Sequence, residues 1–264
     1  MTSFTAHNIR FPDGSLSIPD HPHVLADVPH CEGAKRVLSM LYGDACEGKR
    51  IADLGCLEGG YALEFARMGL DSFGIEVRTS SFENCQEVKR RAELPNLDFA
   101  QDDVWNIAKY GPFDVIFCCG LLYHLDRPRA FIQLMGQQAQ DAIIINTHYA
   151  PQGWRPKSVF KFSSMTEHEG LPGRWYEEPK TETDEQREKF KWASWDNHRS
   201  FWPTKEALLH AMNEAGFDLA FEQFDTFGNI LHNGTSKETK LNHRGVFVGI
   251  RTRALAGRSA HGHE

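Results

Sequence analysis

Residues 50–69, RIADLGCLEGGYALEFARMG, constrain the fold more than any other stretch of the chain. An apolar run through Ile51, Ala52 and Leu54 gives way to Gly55, Gly59 and Gly60, and apolar residues then recur at Tyr61, Ala62, Phe65 and Ala66 at helical spacing. That order predicts a strand, a tight glycine turn and a helix. Glycine serves such a turn in two ways: it accepts backbone angles that a Cβ penalises, and it lets a ligand come close to the bare backbone. A lone glycine turn is also compatible with a plain connection, so the next strand matters. Residues 72–77 predict that strand, ending near Glu76, and an acid about 20 residues beyond a glycine turn can accept hydrogen bonds from two ribose hydroxyls.

The rest of the first half alternates in the same way. Residues 30–41 and 79–92 have helical periodicity, and residues 97–100 read as a short third strand followed by Asp102 and Asp103, either of which could simply cap the next turn. Residues 113–119, FDVIFCC, are continuously apolar, as expected of a central strand covered on both faces. Residues 142–146, AIIIN, predict a fifth strand, 217–224 a sixth and 241–251 a seventh. Thr204 is placed to cap a helix that Gly216 closes.

The set Asp53, Gly55, Cys56, Glu58 and Gly59, with Glu76 one strand on and Asp103 another strand on, resembles the class I S-adenosylmethionine-dependent methyltransferases. Leu57 stands where the dinucleotide pattern wants its second glycine, which favours a nucleoside ligand without a pyrophosphate. The resemblance implies an α/β fold: a doubly wound, seven-stranded Rossmann-like sheet whose last strand is antiparallel. It also implies S-adenosyl-L-methionine as cofactor and S-adenosyl-L-homocysteine as product. In that pattern Asp53, Gly55, Cys56, Gly59, Glu76 and Gly120 surround the cofactor, Asp103 receives the adenine amino group, and the amide of Val104 meets a ring nitrogen. The loop GLLYHLDRPRAF passes beneath the sulfonium, which makes Tyr123 and His124 candidates for the catalytic end, although either could pack under the following helix.

Three divisions of the chain are expected: an irregular N-terminal arm over residues 1–29, a methyltransferase domain over 30–253, and a small, polar, disordered tail over 254–264. The arm could lie over a site, but its sparse apolar periodicity favours a free segment. Residues 151–200 break the alternation and are too long for a structureless connector, so they read as a cap over the acceptor. Its aromatics Trp154, Trp175, Tyr176, Trp192 and Trp195 either stack on the acceptor or form the cap's own core. The charge run over residues 177–191 is expected to be a solvated face.

His148, just past the fifth strand, is the first choice as general base, because an imidazole titrates close to operating pH and ligands of open parallel sheets lie beyond the strand ends. Asp196, Asn197 and His198, with His148 or Asn146, form a scattered candidate set for Mg2+. The function expected is O-methyl transfer to a polar small molecule, a sugar or natural product. The LLYH loop and the SFWPT segment also resemble pieces of the tRNA wobble-uridine carboxymethyltransferases, which use carboxylated S-adenosylmethionine. An RNA-modifying enzyme would need Arg155, Lys157, Lys161 and Arg174 on one face, and the net charge of −7 weighs against a nucleic-acid partner. A non-catalytic cofactor-binding scaffold is the third reading. The six cysteines lack metal-type spacing and read as free thiols. No apolar run is long enough to span a membrane, and MTSFTAHNIRFPDG lacks a basic-apolar leader, so a cytoplasmic location is expected. An arm and a large cap are compatible with a homodimer.

Overall fold

The alternating burial of Val115 and Phe117 against one helical layer, and of Ile116 and Cys118 against the other, places the apolar run Phe113–Cys119 (β4) at the centre of a sheet. The computed structural model describes residues 3–43, 46–153, 160–224 and 243–256. Its main sheet also contains Arg50–Leu54 (β1), Asp71–Glu76 (β2), Leu97–Gln101 (β3) and Ala139–His148 (β5). Leu219–Gln223 (β9) and Arg244–Ile250 (β10) complete it, and the spatial order is β3-β2-β1-β4-β5-β10-β9. β10 runs antiparallel to both neighbours, and the pairings among β1 to β5 are parallel. Strand order reverses between β1 and β4, so their carboxyl ends open the crevice where ligands of such sheets bind.

Helices cover both faces, as the two sets of β4 side chains require. Pro29–Tyr42 (α1) and Gly60–Arg67 (α2) pack with Ile51, Val115, Phe117 and Ile144 on one side. Thr79–Ala92 (α3) joins the same layer over Leu97 and Phe99. Pro128–Gln138 (α4) and Lys205–Glu214 (α6) cover Ile116, Ile143 and Ile145 on the other, while the short helix between them in the chain, Asp184–Lys189 (α5), buries none of its residues. The Thr204 hydroxyl caps α6 by accepting from the amide of Ala207 at 3.2 Å.

At the amino end of the strands, charges satisfy one another. Lys49 Nζ lies between Asp114 (2.7 Å) and Asp141 (3.2 Å), Tyr42 donates to Asp141 at 2.9 Å, and Arg50 Nε meets Asp71 at 3.0 Å.

The cap is a small sheet of its own. Thr166–His168 (β6) and Leu171–Glu177 (β7) form a hairpin whose two-residue turn, Glu169 and Gly170, has φ of 52° and 73°. Positive φ at both positions gives the hairpin twist that joins antiparallel strands tightly. Arg199–Pro203 (β8) pairs with β7, so the cap's third strand runs beyond residue 200. Trp175 and Tyr176 belong to the cap's core, packed edge-on and tilted against Phe201 and Trp202. Trp154, Arg155 and Lys157 lie outside the described residues. Arg174 is buried and donates to the carbonyls of Pro151 and Ser163, so it offers no charge to an RNA face.

The arm is docked, contrary to the expectation of a free segment. Ile9 and Phe11, 2% and 3% exposed, plug onto Ala62, Leu63, Cys85 and Val88 of α2 and α3. Two apolar residues and the contacts to Glu58 dock a segment that has no helical periodicity. Of the expected tail, 254–256 fall in the short helix Arg253–Ala256 and 257–264 lie outside the described residues. Among the described residues no helix is long and apolar enough to cross a membrane.

Candidate active site

The glycine turn after β1 adopts the backbone its sequence demands. Gly55 and Gly59 have φ of 66° and 75°, and a Cβ at Gly59 would lie 2.7 Å from the Phe99 ring. The amides of Gly55 and Cys56 both donate to the carbonyl of Ile75, tying the turn to β2. A cavity of about 450 Å³ opens above it, within the range of small-molecule sites. Asp53, Gly55, Glu76, Asp103, Val104 and Gly120 line this cavity, as do Tyr123 and His124. Cys56 and Gly59 shape the turn from behind, with the Cys56 sulfur 3.7 Å from that of Cys85.

The carboxylates have distinct environments. Glu76 is 3% exposed, and each of its oxygens accepts one backbone amide, from Leu57 at 3.0 Å and Arg78 at 2.8 Å. Lone pairs remain for two ribose hydroxyls. Burial raises its pKa. Asp53 is buried with Oδ2 unpartnered, and burial pushes its pKa up to about 8. Asp102 turns away from the cavity and accepts from Asn106, Lys109, Tyr110 and the Asp103 amide. Those donors outweigh burial and hold its carboxyl well below the usual range. Asp103 both caps the next turn, accepting from the Trp105 amide at 2.9 Å, and faces the cavity. The glycine cradle and the unpartnered Asp53 oxygen fit a nucleoside cofactor carrying positive charge.

Arm and cap meet at Glu58. Its carboxylate, fully buried, accepts from the amides of Thr5, Ala6 and His7 at 2.8 to 3.0 Å, from Asn84, and from Lys191 of the cap. Burial alone would raise its pKa, but the donors, the His7 amide first, hold it below the ordinary value. His7 Nδ1 accepts from the Gly60 amide at 3.1 Å, which requires an unprotonated Nδ1. Burial lowers the His7 pKa to about 4, partly opposed by Glu58. Ala6, His7, Leu25 and Val28 close one wall of the cavity, and residues 191–196 close another. Arg78 pins that segment by donating to the carbonyls of Ala193 (2.6 Å) and Phe190 (3.3 Å).

At the catalytic end, His124 Nδ1 lies 2.9 Å from Glu178 Oε1, with the two side chains 14% and 1% exposed. Glu178 also accepts from Ser200 Oγ at 2.6 Å and the Ser194 amide at 3.1 Å. The run 177–191 is therefore not simply a solvated face: Glu178 and Lys191 turn inward. His148 does not line the cavity. Its ring stacks on Trp202 at 4.8 Å and meets Tyr123 edge-on at 4.7 Å, one aromatic layer behind the wall. Burial raises the Tyr123 pKa, and its carbonyl accepts from Trp202 Nε1 at 2.8 Å.

The candidate Mg2+ ligands do not converge. Asp196 lines the cavity mouth, Asn197 is engaged by Ser194, Arg199 and Ser200, and exposed His198 uses its carbonyl to accept from the Glu178 amide. Among the described residues no three His, Cys, Asp or Glu side chains are grouped to hold a metal ion. That donor set does not fit a magnesium centre. Sequence reasoning missed Glu178, Lys191, His7, Arg78 and Arg244. Only Arg244 carried a local signal, a cation opening an otherwise apolar strand.

A family model described as a methyltransferase domain matches residues 46–216. The ubiquinone biosynthesis O-methyltransferase of Paracidovorax citrulli (strain AAC00-1) is 30% identical over 89 residues, 33% of this chain and 37% of that protein. The 23S rRNA (uracil(1939)-C(5))-methyltransferase RlmD of Thiobacillus denitrificans (strain ATCC 25259 / T1) is 34% identical over 100 residues, 36% of this chain and 21% of that protein. The chain thus spans well under half the length of these curated relatives. In fold it is similar to the N-terminal domain of EvdMO1, crystallised in the presence of SAH and D-fucose, with a TM-score of 0.65 and 21% identity over 92% of this chain and 89% of that one. It is also similar to the magnesium protoporphyrin IX methyltransferase ChlM of Synechocystis PCC 6803 with bound SAH, with a TM-score of 0.51 and 14% identity over 84% of each chain. With more than half the chain covered by the family match, the chain belongs to the methyltransferase domain family.

Proposed function

We propose that this enzyme transfers a methyl group to a hydroxyl of a polar small molecule, with His124 as general base and Glu178 as its positioning residue. The observation that carries this reading is the His124–Glu178 contact of 2.9 Å on the cavity wall. With Nδ1 donating to a buried carboxylate, Nε2 keeps its lone pair, and Glu178 steadies the imidazolium that forms once a proton is taken. His124 replaces His148 in that role because it reaches the cavity.

S-adenosylmethionine, when bound, supplies a methyl group already activated by a positively charged sulfur. The chain's part is then to hold and to exclude. Glu76 accepts the ribose hydroxyls, Asp103 the adenine amino group, and the amide of Val104 meets the ring. The arm and residues 191–196 keep water out, and His124 removes the acceptor's proton as the oxygen becomes a nucleophile. The fold likeness to a domain crystallised with D-fucose is in keeping with a polyhydroxy acceptor.

The test is methyl transfer from labelled S-adenosylmethionine to a panel of sugars, polyols and phenols. His124→Ala is expected to lower kcat by about 10²- to 10⁴-fold while S-adenosylhomocysteine affinity stays within about twofold. His148→Ala, which removes a ring from the Trp202 stack, should lower Tm far more than kcat. A kcat loss confined to His148→Ala would return the base to that residue.

A further inference from the structure

Two arginines line the cavity, and they differ in the counter-charges around them. Arg78 is buried among the charges of Glu76, Glu178 and Glu188, and its Nη2 donates to the carbonyls of Phe190 and Ala193. Arg244 opens β10 opposite His148 and reaches across β5, where its Nε donates to Asn146 Oδ1 at 2.6 Å. That bond fixes the plane of the fork and leaves its other nitrogens directed past Asn146. No carboxylate pairs with it among the described residues; the Cys119 thiol and the Tyr123 ring, 5.6 Å from Cζ, lie against it, and its charge also reaches His30 on the cavity wall.

The Tyr123 hydroxyl shares that place, and Asn146 backs it. A Cβ on Gly120 would lie 3.6 Å from Arg244 Nη2 and 3.7 Å from Tyr123 Oη, so the absence of a side chain there leaves both donors facing one point. Asn146 is 1% exposed and its Nδ2 has no partner. A guanidinium, a phenol and an unused amide N–H are all donors, and a half-buried cation without a counter-charge is costly unless a ligand supplies one. The carboxylates that line the cavity, Asp53, Glu76, Asp103 and Asp196, stand on other elements, and none of them forms an ion pair with Arg244 among the described residues.

We propose that Arg244 and Tyr123 seat a carboxylate of the acceptor, with Asn146 holding the guanidinium in place from behind the cavity wall, so that the substrate is a hydroxy acid. This rests on the hydroxyl-transfer reading above. Arg244 and His124 flank the Tyr123 ring, with His124 4.3 Å from it ring to ring, so one small molecule reaches both with its acid and its hydroxyl. The planar fork suits a carboxylate better than an ammonium would, which predicts that Arg244→Lys retains only part of the effect.

The experiment is calorimetric titration of the S-adenosylhomocysteine-saturated protein with D-glucuronate, lactate and salicylate, each beside its own amide. At least one acid is expected to bind tenfold or more tightly than its amide, and Arg244→Gln should bring that ratio close to one. The proposal is overturned if no acid is preferred by the native protein, or if the preference survives Arg244→Gln. A separate arm tests the cofactor as the source of the carboxylate. If Arg244→Gln weakens S-adenosylhomocysteine tenfold but leaves 5′-methylthioadenosine, which lacks the amino-acid tail, unchanged, then Arg244 serves the cofactor and the proposal falls. An acid that binds through Arg244 but accepts no methyl group would leave the seat standing and remove the transfer reading alone.

Discussion

A buried carboxylate with one empty oxygen is a titration waiting for a ligand. Asp53, raised to about 8 by burial, is mostly protonated at pH 7. S-adenosylhomocysteine carries an α-ammonium, and positive charge brought beside Asp53 favours its ionised form, so binding at pH 7 should release a proton. The sign follows: affinity rises with pH up to about 8 and falls below it, where that proton must be expelled. Calorimetry in buffers of different ionisation enthalpy would register the release, and Asp53→Asn should abolish it. Asp53 and Glu76 were legible in the sequence because they stand at fixed distances from a glycine turn. Glu178 was not, because its partner lies 54 residues away and its neighbours Glu177 and Lys180 are ordinary surface charges. His148 misled for a related reason: a strand end fixes where a residue sits, but not whether a Trp from the cap covers its ring.

Among the elements, helices declared themselves and covers did not. The α3 boundaries, Thr79–Ala92, follow from local periodicity and a positive-φ end at Glu93. The arm has no such pattern; its docking depends on Glu58, a residue of the glycine turn more than 50 positions away. Glu58→Gln replaces an acceptor oxygen with a donor and should free the arm. Amide exchange over residues 3–11 is expected to quicken, and S-adenosylhomocysteine to dissociate about tenfold faster, since one lost buried charge-assisted contact is worth on the order of 1.5 kcal/mol or more. Unchanged protection would show that Ile9 and Phe11 alone hold the arm. Acid should act in the same direction: His7 docks neutral with a pKa of about 4 against 6.5 when free, so docking is complete above pH 6.5 and weakens as pH falls toward 4. The cap sheet was equally hidden, because β8 pairs with β7 across 20 or so intervening residues and its hairpin turn is the unremarked pair Glu169 and Gly170.

Taken whole, the molecule has one end that is finished and one that is not. Where the strands begin, Lys49, Asp114, Asp141, Tyr42, Arg50 and Asp71 compensate each other. Where they end, Asp53, Arg244 and Asn146 Nδ2 have groups to which the described residues offer no complete set of partners. The last of those partners must come from solution. Saturation at a hundredfold excess over Kd should therefore stabilise the fold by about 2.7 kcal/mol, which for a chain of this size raises Tm by roughly 5–10 °C. A scan with S-adenosylhomocysteine that left Tm unmoved would contradict this. In a cell, proteases sample the fraction of molecules that is open, and that fraction falls as the cavity fills. The Lys49 cluster cannot respond to metabolite supply, whereas the crevice above β1 and β4 does, so the lifetime of the protein is expected to track the pool of its own cofactor.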